Sequence, residues 1–296
     1  MHNNLPQRLR SLLFVPADSD RKLAASLRYA ADGLVFDLED AVPEQGKDEA
    51  RAKLVGFLEQ NRTAMESAVL VRVNGLGSGH ILRDLAAVIP HRPNAIVLPK
   101  CRNVDDVHRL CDFLAAFECA LLHDSWEVSV IAMATESSEG VFGLSSYRNA
   151  PMRLRALMWG VDDLAADLGA FASHIGKDLT APFSVARTMC LMAAAQAGID
   201  AIDAVSTSLT DPAQIREEAA QAKRDGFVAK AAAHPSHIDA INEAFMPQEE
   251  EIRWAREVVD AFSRVGATGV ARLGNEMIDR PHLRLAHRIL CHIDED

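Results

Sequence analysis

The sequence predicts an α/β fold in which eight parallel strands close into a barrel, and three observations predict it. Eight short apolar or β-branched runs alternate with longer amphipathic runs, as a parallel sheet with crossover helices requires. Polar or charged residues end nearly every one of the eight runs, on one side only. The turn after the first run reads Pro16-Ala17-Asp18-Ser19-Asp20, without the glycines that mark the rival, a doubly wound open sheet. The prediction is therefore a (β/α)8 TIM barrel with a C-terminal helical arm or lid.

In chain order the expected strands are 11–17 (SLLFVPA), 33–39 (GLVFDLE), 69–74 (VLVRVN) and 95–100 (AIVLPK). They continue with 128–136 (VSVIAMATE), 154–163 (LRALMWGVDD), 201–207 (AIDAVST) and 228–234 (VAKAAAH). Each is rich in Val, Ile, Leu or Ala, the composition of strands buried on both faces. Helices are expected over 47–61, 104–121, 181–198 and 212–226, and Gly198 and Gly226 fit the left-handed stop of a helix. Beyond the eighth strand, the run from Phe245 to Glu251 reads as a helix start, with Pro247 in the first turn and three acids complementing the dipole. The expected domains are thus the barrel, 8–246, and the arm or lid, 247–296.

The 296 residues carry a formal net charge of −11, and 49% of them are hydrophobic, enough for a sizeable core. So acidic a surface repels nucleic acid and anionic membrane, so neither is an expected partner. No apolar run reaches the length of a membrane span. The first residues, MHNNLPQRLR, lack the apolar middle of a secretory signal, so a cytoplasmic enzyme is expected. The five cysteines show no C-x-x-C spacing, which suggests neither a disulfide frame nor a zinc knuckle.

In such barrels the chemistry sits where strands end. Alternation along VFDLED puts Asp37 and Glu39 on one face, pointing into the mouth, where they serve as functional acids or as ion-pair partners of Arg72 on the next strand. Glu136 and Asp163 end the fifth and sixth strands. Two carboxylates on neighbouring strand ends make a hard oxygen site of low ligand count, which suits Mg2+, because that ion keeps several waters. Lys100, at the fourth strand end, is a candidate substrate contact. Arg21 and Lys22, after the first strand, are candidate phosphate contacts, or else a solvated first helical turn. His282, His287 and His292 fall on different helix faces, and His234 before Pro235 reads as a turn former. Neither a G-x-S-x-G elbow nor a P-loop is present.

Taken in order, RSLLFVPA, GLVFDLEDAVPEQGKDEARAKL, VRVN, VLPK, GVDDLAADLG, GIDAID, the His-Pro pair at 234–235 and EMIDRP resemble the citrate lyase β-subunit-like branch of the HpcH/HpaI aldolase group, from about Arg10 to Pro281. The resemblance implies a Mg2+-dependent barrel that cleaves 3-hydroxyacyl-CoA thioesters. By that match Glu136 and Asp163 hold Mg2+, Arg72 contacts the substrate near its thioester carbonyl, and Asp37 and Glu39 support them. Asp279 looks like the family's acid, carried by the arm into a neighbouring subunit, which implies a homotrimer. The favoured substrate is (S)-citramalyl-CoA, with citryl- and malyl-CoA as alternatives. An aldolase acting on free hydroxy-oxo acids and a non-catalytic subunit of a multi-subunit citrate lyase remain the rival readings. The sequence departs from the common pattern at Asp162, Ser208, Ala229 and His237 and keeps Glu136, Asp163 and Arg72.

Overall fold

Eight parallel strands close on themselves in the computed structural model, which describes residues 4–6, 8–122, 124–206, 208, 211–265 and 269–291. In chain order they are β1 Ser11–Pro16, β2 Gly33–Asp37, β3 Ala68–Arg72, β4 Ala95–Leu98, β5 Ser129–Met133 and β6 Leu154–Met158. A short hairpin follows, β7 His174–Ile175 with β8 Asp178–Leu179, and then the last two wall strands, β9 Asp200–Asp203 and β10 Ala229–Ala232. Around the barrel the order is β1-β10-β9-β6-β5-β4-β3-β2, so every expected strand finds its place. Thr207, expected at the seventh strand end, and His292 lie outside the described residues.

Inside the barrel, Leu12, Val35, Leu70, Val97, Ile131, Met133, Met158 and Ile202 fill one apolar cluster, with the small Ala229 and Ala231 completing it. Alternate residues face the outer helices. Helices Lys47–Asn61 and Val104–Leu121 form where the apolar periodicity predicts, the second capped by the Asn103 side chain. Helices Ala181–Ala197 and Pro212–Asp225 stop where Gly198 and Gly226 take φ of 70° and 111°, a region that glycine enters without a Cβ penalty. Among the described residues no helix is long and apolar enough to cross a membrane.

The strands are shorter than expected, and this changes how the site residues are held. β2 ends at Asp37, β4 at Leu98, β5 at Met133 and β6 at Met158, so Glu39, Lys100 and Glu136 stand on the loops just beyond, and Asp163 stands past its loop. Asp163 lies in the first turn of helix Asp162–Leu168, where a carboxylate also faces the positive end of the helix dipole.

The chain separates into two compact units, Met1–Ala244 and Phe245–Asp296. The second unit packs helix Glu249–Val265 against helix Arg280–Leu290 and the hairpin β11 Val270–Leu273 with β12 Glu276–Asp279. Its own core is Ala255, Val258, Phe262, Ala271, Ile278 and Ala286. Pro247 precedes the first of these helices rather than lying within its first turn.

Candidate active site

Side by side on the rim, β2 and β3 hold the first part of the site. Asp37 is in register with Arg72, and the guanidinium grips its carboxylate by two parallel bonds, Nε to Oδ1 at 2.7 Å and Nη2 to Oδ2 at 2.6 Å. Arg72 Nη1 also lies 3.2 Å from Glu39 Oε2, and the Arg72 side chain is 11% exposed. The Phe14 ring stands 5.1 Å from the guanidinium carbon. The ion pair weighed as an alternative for these acids therefore exists, and it orients Arg72 across the mouth.

Glu39 lies two residues past the end of β2 and meets the same guanidinium as Asp37, on the side that alternation expected. Leaving β2, the chain folds back so that the Glu39 and Ala41 amides donate to the Asp37 carboxylate at 2.9 and 3.3 Å. Buried Lys47 clamps the same loop from below, donating to the carbonyls of Leu38 at 2.9 Å and Glu39 at 2.7 Å. Asn74 adds a bond to the Leu38 carbonyl, and buried Asp84 fixes Asn74 in turn.

Lys100 closes the gap between this group and the next. Its ammonium donates to Glu39 at 2.5 Å and to Asp40 at 2.9 Å, and it lies 3.9 Å from Asp163 Oδ1. Its backbone takes φ of 53°, rare for a residue with a side chain, and its amide donates to Glu136 Oε2 at 2.5 Å. Glu136 is 4% exposed and is pressed against the backbone of the following strand end. A Cβ built on Gly160 would sit 2.8 Å from Glu136 Cγ, so any side chain there would displace Glu136. The sequence reading passed over Gly160, Asp40 and Lys47. The doubled acid of LEDA hinted at Asp40, whereas the contact between Gly160 and Glu136 belongs to no local pattern.

The electrostatics follow from burial and from the balance of charges. Burial pushes the Glu136 carboxyl up to about 8, Asp163 adds to the rise, and the Lys100 amide and Arg72 pull against it. Burial also raises Glu39, against the pull of Arg72 and Lys100. Burial acts to raise Asp40 as well, but its bonds to Glu39 and Lys100 carry it below its ordinary range. Burial opposes the charged forms of Arg72 and Lys100, yet their carboxylate partners hold both above their ordinary values. The named site thus sets five acids, Asp37, Glu39, Asp40, Glu136 and Asp163, against two cations, Arg72 and Lys100. That shortfall of positive charge, with Glu136 held back from ionising, is the environment that a hard divalent cation relieves. Among the described residues no three His, Cys, Asp or Glu side chains converge as a full ligand set. Two carboxylates with waters fit Mg2+ better than an ion that needs a protein cage.

Arg21 and Lys22 are exposed in the first turn of helix Asp20–Ser26, which Ser19 caps. His234 caps the short turn at Pro235–His237, as expected of a turn former. In the second unit, Asp279 precedes helix Arg280–Leu290 with its side chain half exposed. His282 Nδ1 lies 2.6 Å from Asp279 Oδ1 and 3.2 Å from the Asp279 amide nitrogen. One nitrogen cannot donate to the first and accept from the second, and the shorter contact to the carboxylate decides for donation.

A closed α/β barrel with a carboxylate-rich, cation-seeking rim defines a class of barrel enzymes working on oxygen-rich small molecules. The chain belongs to the HpcH/HpaI aldolase/citrate lyase family, whose match spans residues 10–235, and it is a carbon–carbon lyase. It is 32% identical over 287 residues to citrate lyase subunit beta of Escherichia coli (strain K12), covering 96% of this chain and 93% of the relative. To the (3S)-malyl-CoA thioesterase of Cereibacter sphaeroides (strain ATCC 17029 / ATH 2.4.9) it is 30% identical over 284 residues, 95% and 93% of the two chains. Among solved structures it resembles CitE from Mycobacterium tuberculosis in complex with magnesium, acetoacetate and coenzyme A. That pair has a TM-score of 0.75 and 29% identity, over 97% of this chain and 98% of the other.

Proposed function

We propose that this protein is a Mg2+-dependent CoA-ester lyase that cleaves a 3-hydroxyacyl-CoA thioester, with (S)-citramalyl-CoA the favoured substrate and acetyl-CoA and pyruvate the products. The observation that carries the reading is the pair of Glu136, buried, and Asp163, partly exposed, in a rim short of positive charge. Mg2+ held by these two carboxylates would supply Lewis-acid stabilisation of negative charge on the oxygens of the oxo-acid half. The magnesium, acetoacetate and coenzyme A of the similar CitE complex support this assignment.

The residues divide the work as follows. Asp37 and Glu39 hold the Arg72 guanidinium rigid, and Arg72 meets the thioester carbonyl oxygen. As the substrate hydroxyl passes its proton to the Glu39 carboxylate, the proposed base, the bond between the carbinol carbon and the CH2 group breaks. Its electron pair passes into the thioester as an enolate, whose charge Arg72 stabilises more than it does the ground state. A carboxylic acid then returns a proton to the CH2 carbon, and Asp279, brought from a neighbouring copy in a homotrimer, is the proposed donor. Lys100 orients Glu39 and contacts substrate, while Arg21 and Lys22 meet the CoA phosphates.

A panel of (S)-citramalyl-, malyl- and citryl-CoA, with free citramalate and malate, tests the reading on the purified chain with Mg2+ and with EDTA. Cleavage of one thioester to acetyl-CoA and an oxo acid is expected, lost in EDTA and restored by Mg2+. Release of CoA with the hydroxy acid intact would favour thioester hydrolysis, the activity in the name of the Cereibacter relative. Comparable cleavage of the free acids would favour a simple aldolase. No turnover unless other subunits are added would favour a role inside a larger lyase.

A further inference from the structure

Behind the rim, on the outer side of the wall, Asp203 ends β9 and is buried with a full set of donors. Its Oδ1 accepts from the Trp159 indole at 2.6 Å and from Arg187 Nε at 2.8 Å, and its Oδ2 accepts from Lys230 Nζ at 2.9 Å. Lys230 is in turn bound to the Ala204 carbonyl at 2.8 Å. Trp159 is 4% exposed and opens the loop Trp159-Gly160-Val161-Asp162-Asp163. This loop is tied on its other side as well, because the Gly160 amide donates to Thr135 Oγ1 at 3.0 Å, one residue before Glu136.

We propose that Trp159 and Asp203 form a positioning pair that fixes the Asp163 loop against Glu136, so that the two carboxylates meet one Mg2+ ion. The inference rests on the reading of Glu136 and Asp163 as the metal ligands. A cleft of about 1070 Å³ is lined by Trp159, Val161, Asp203 and Lys230 among others; Trp159 and Val161 are both buried, but apolar packing by itself sets no direction for the indole N–H. A short hydrogen bond from a rigid indole to a carboxylate does. The carboxylate cannot swing away, because two cations hold its two oxygens. A buried charge cluster is a poor device for stability alone, since apolar residues of similar volume serve as well or better. Here it gives the loop a defined anchor, in the way that groups behind metal ligands set ligand geometry elsewhere.

Two variants and two measurements test the pair. Trp159→Phe keeps an aromatic ring, though a smaller one, and deletes the N–H, and Arg187→Met removes a different donor from the same oxygen while leaving the indole bond. Mg2+ affinity is read by calorimetry on the metal-free protein at pH 8, and Tm by thermal unfolding without metal. Trp159→Phe should bind Mg2+ about tenfold more weakly, within the range for groups behind a metal site. Arg187→Met should lower Tm at least as much and keep Mg2+ affinity within about twofold. Wild-type affinity in Trp159→Phe, or losses of affinity that track Tm in both variants, would overturn the positioning role. Failure of the wild-type protein to bind Mg2+ would sink the functional reading and this inference with it.

Discussion

Mg2+ must compete with a proton at Glu136, and the size of that competition can be worked out. With its carboxyl pushed up to about 8 by burial and Asp163, the metal-free site is mostly protonated at neutral pH. Binding requires the carboxylate, so each Mg2+ bound at pH 7 should expel ~0.9 of a proton. Apparent affinity should weaken by ~50-fold from pH 8 to pH 6 and change little above pH 9. Calorimetry in buffers of different ionisation enthalpy measures both quantities, and Glu136→Gln should abolish the proton release. The same shift has a stability consequence. In the unfolded chain Glu136 titrates near its ordinary 4.5, so the metal-free fold binds the extra proton between pH 4.5 and 8 and loses stability as pH rises through that window. The loss, on the order of a few kcal/mol, is complete above pH 8, where Glu136→Gln should melt higher than the metal-free wild type. An affinity for Mg2+ that does not vary with pH, with no proton released, would refute the reasoning.

Three further outcomes are expected. Arg72→Lys should lose ~100-fold or more in kcat, because a point charge cannot replace the two-pronged grip on Asp37 and still face substrate; a loss confined to KM would restrict Arg72 to binding. Gly160→Ala should weaken Mg2+ binding while far-ultraviolet circular dichroism stays unchanged, since the added methyl meets Glu136 Cγ at 2.8 Å; unaltered affinity would mean that Glu136 need not stay where it is. Asp279→Asn and Glu136→Gln should each be inactive. Reassembled together in equal amounts they should recover about a quarter of wild-type activity if Asp279 serves a neighbour's barrel; no recovery in confirmed mixed oligomers would leave Asp279 with its contact to His282 alone.

The barrel could be read from the sequence because its causes are local. Alternating apolar runs and glycine stops at 198 and 226 act over a few residues, and the structure keeps each of them. Asp37, Glu39, Arg72, Lys100, Glu136 and Asp163 could be named because polar side chains at the ends of apolar strands have few other reasons to be there. How they meet could not be read. The backbone turn at Lys100 with φ of 53°, the space that Gly160 leaves for Glu136, and the anchoring of Trp159 by Asp203 join residues 24 to 44 positions apart. Alternation put Glu39 on the same side as Asp37, and both meet Arg72; what it could not give is that β2 stops at Asp37 and that Lys47 and the Asp37 carboxylate hold the loop carrying Glu39. Side-chain period and propensity are properties of neighbours along the chain. A buried carboxyl held at about 8 is a property of everything packed around it, and only the closed barrel assembles those surroundings.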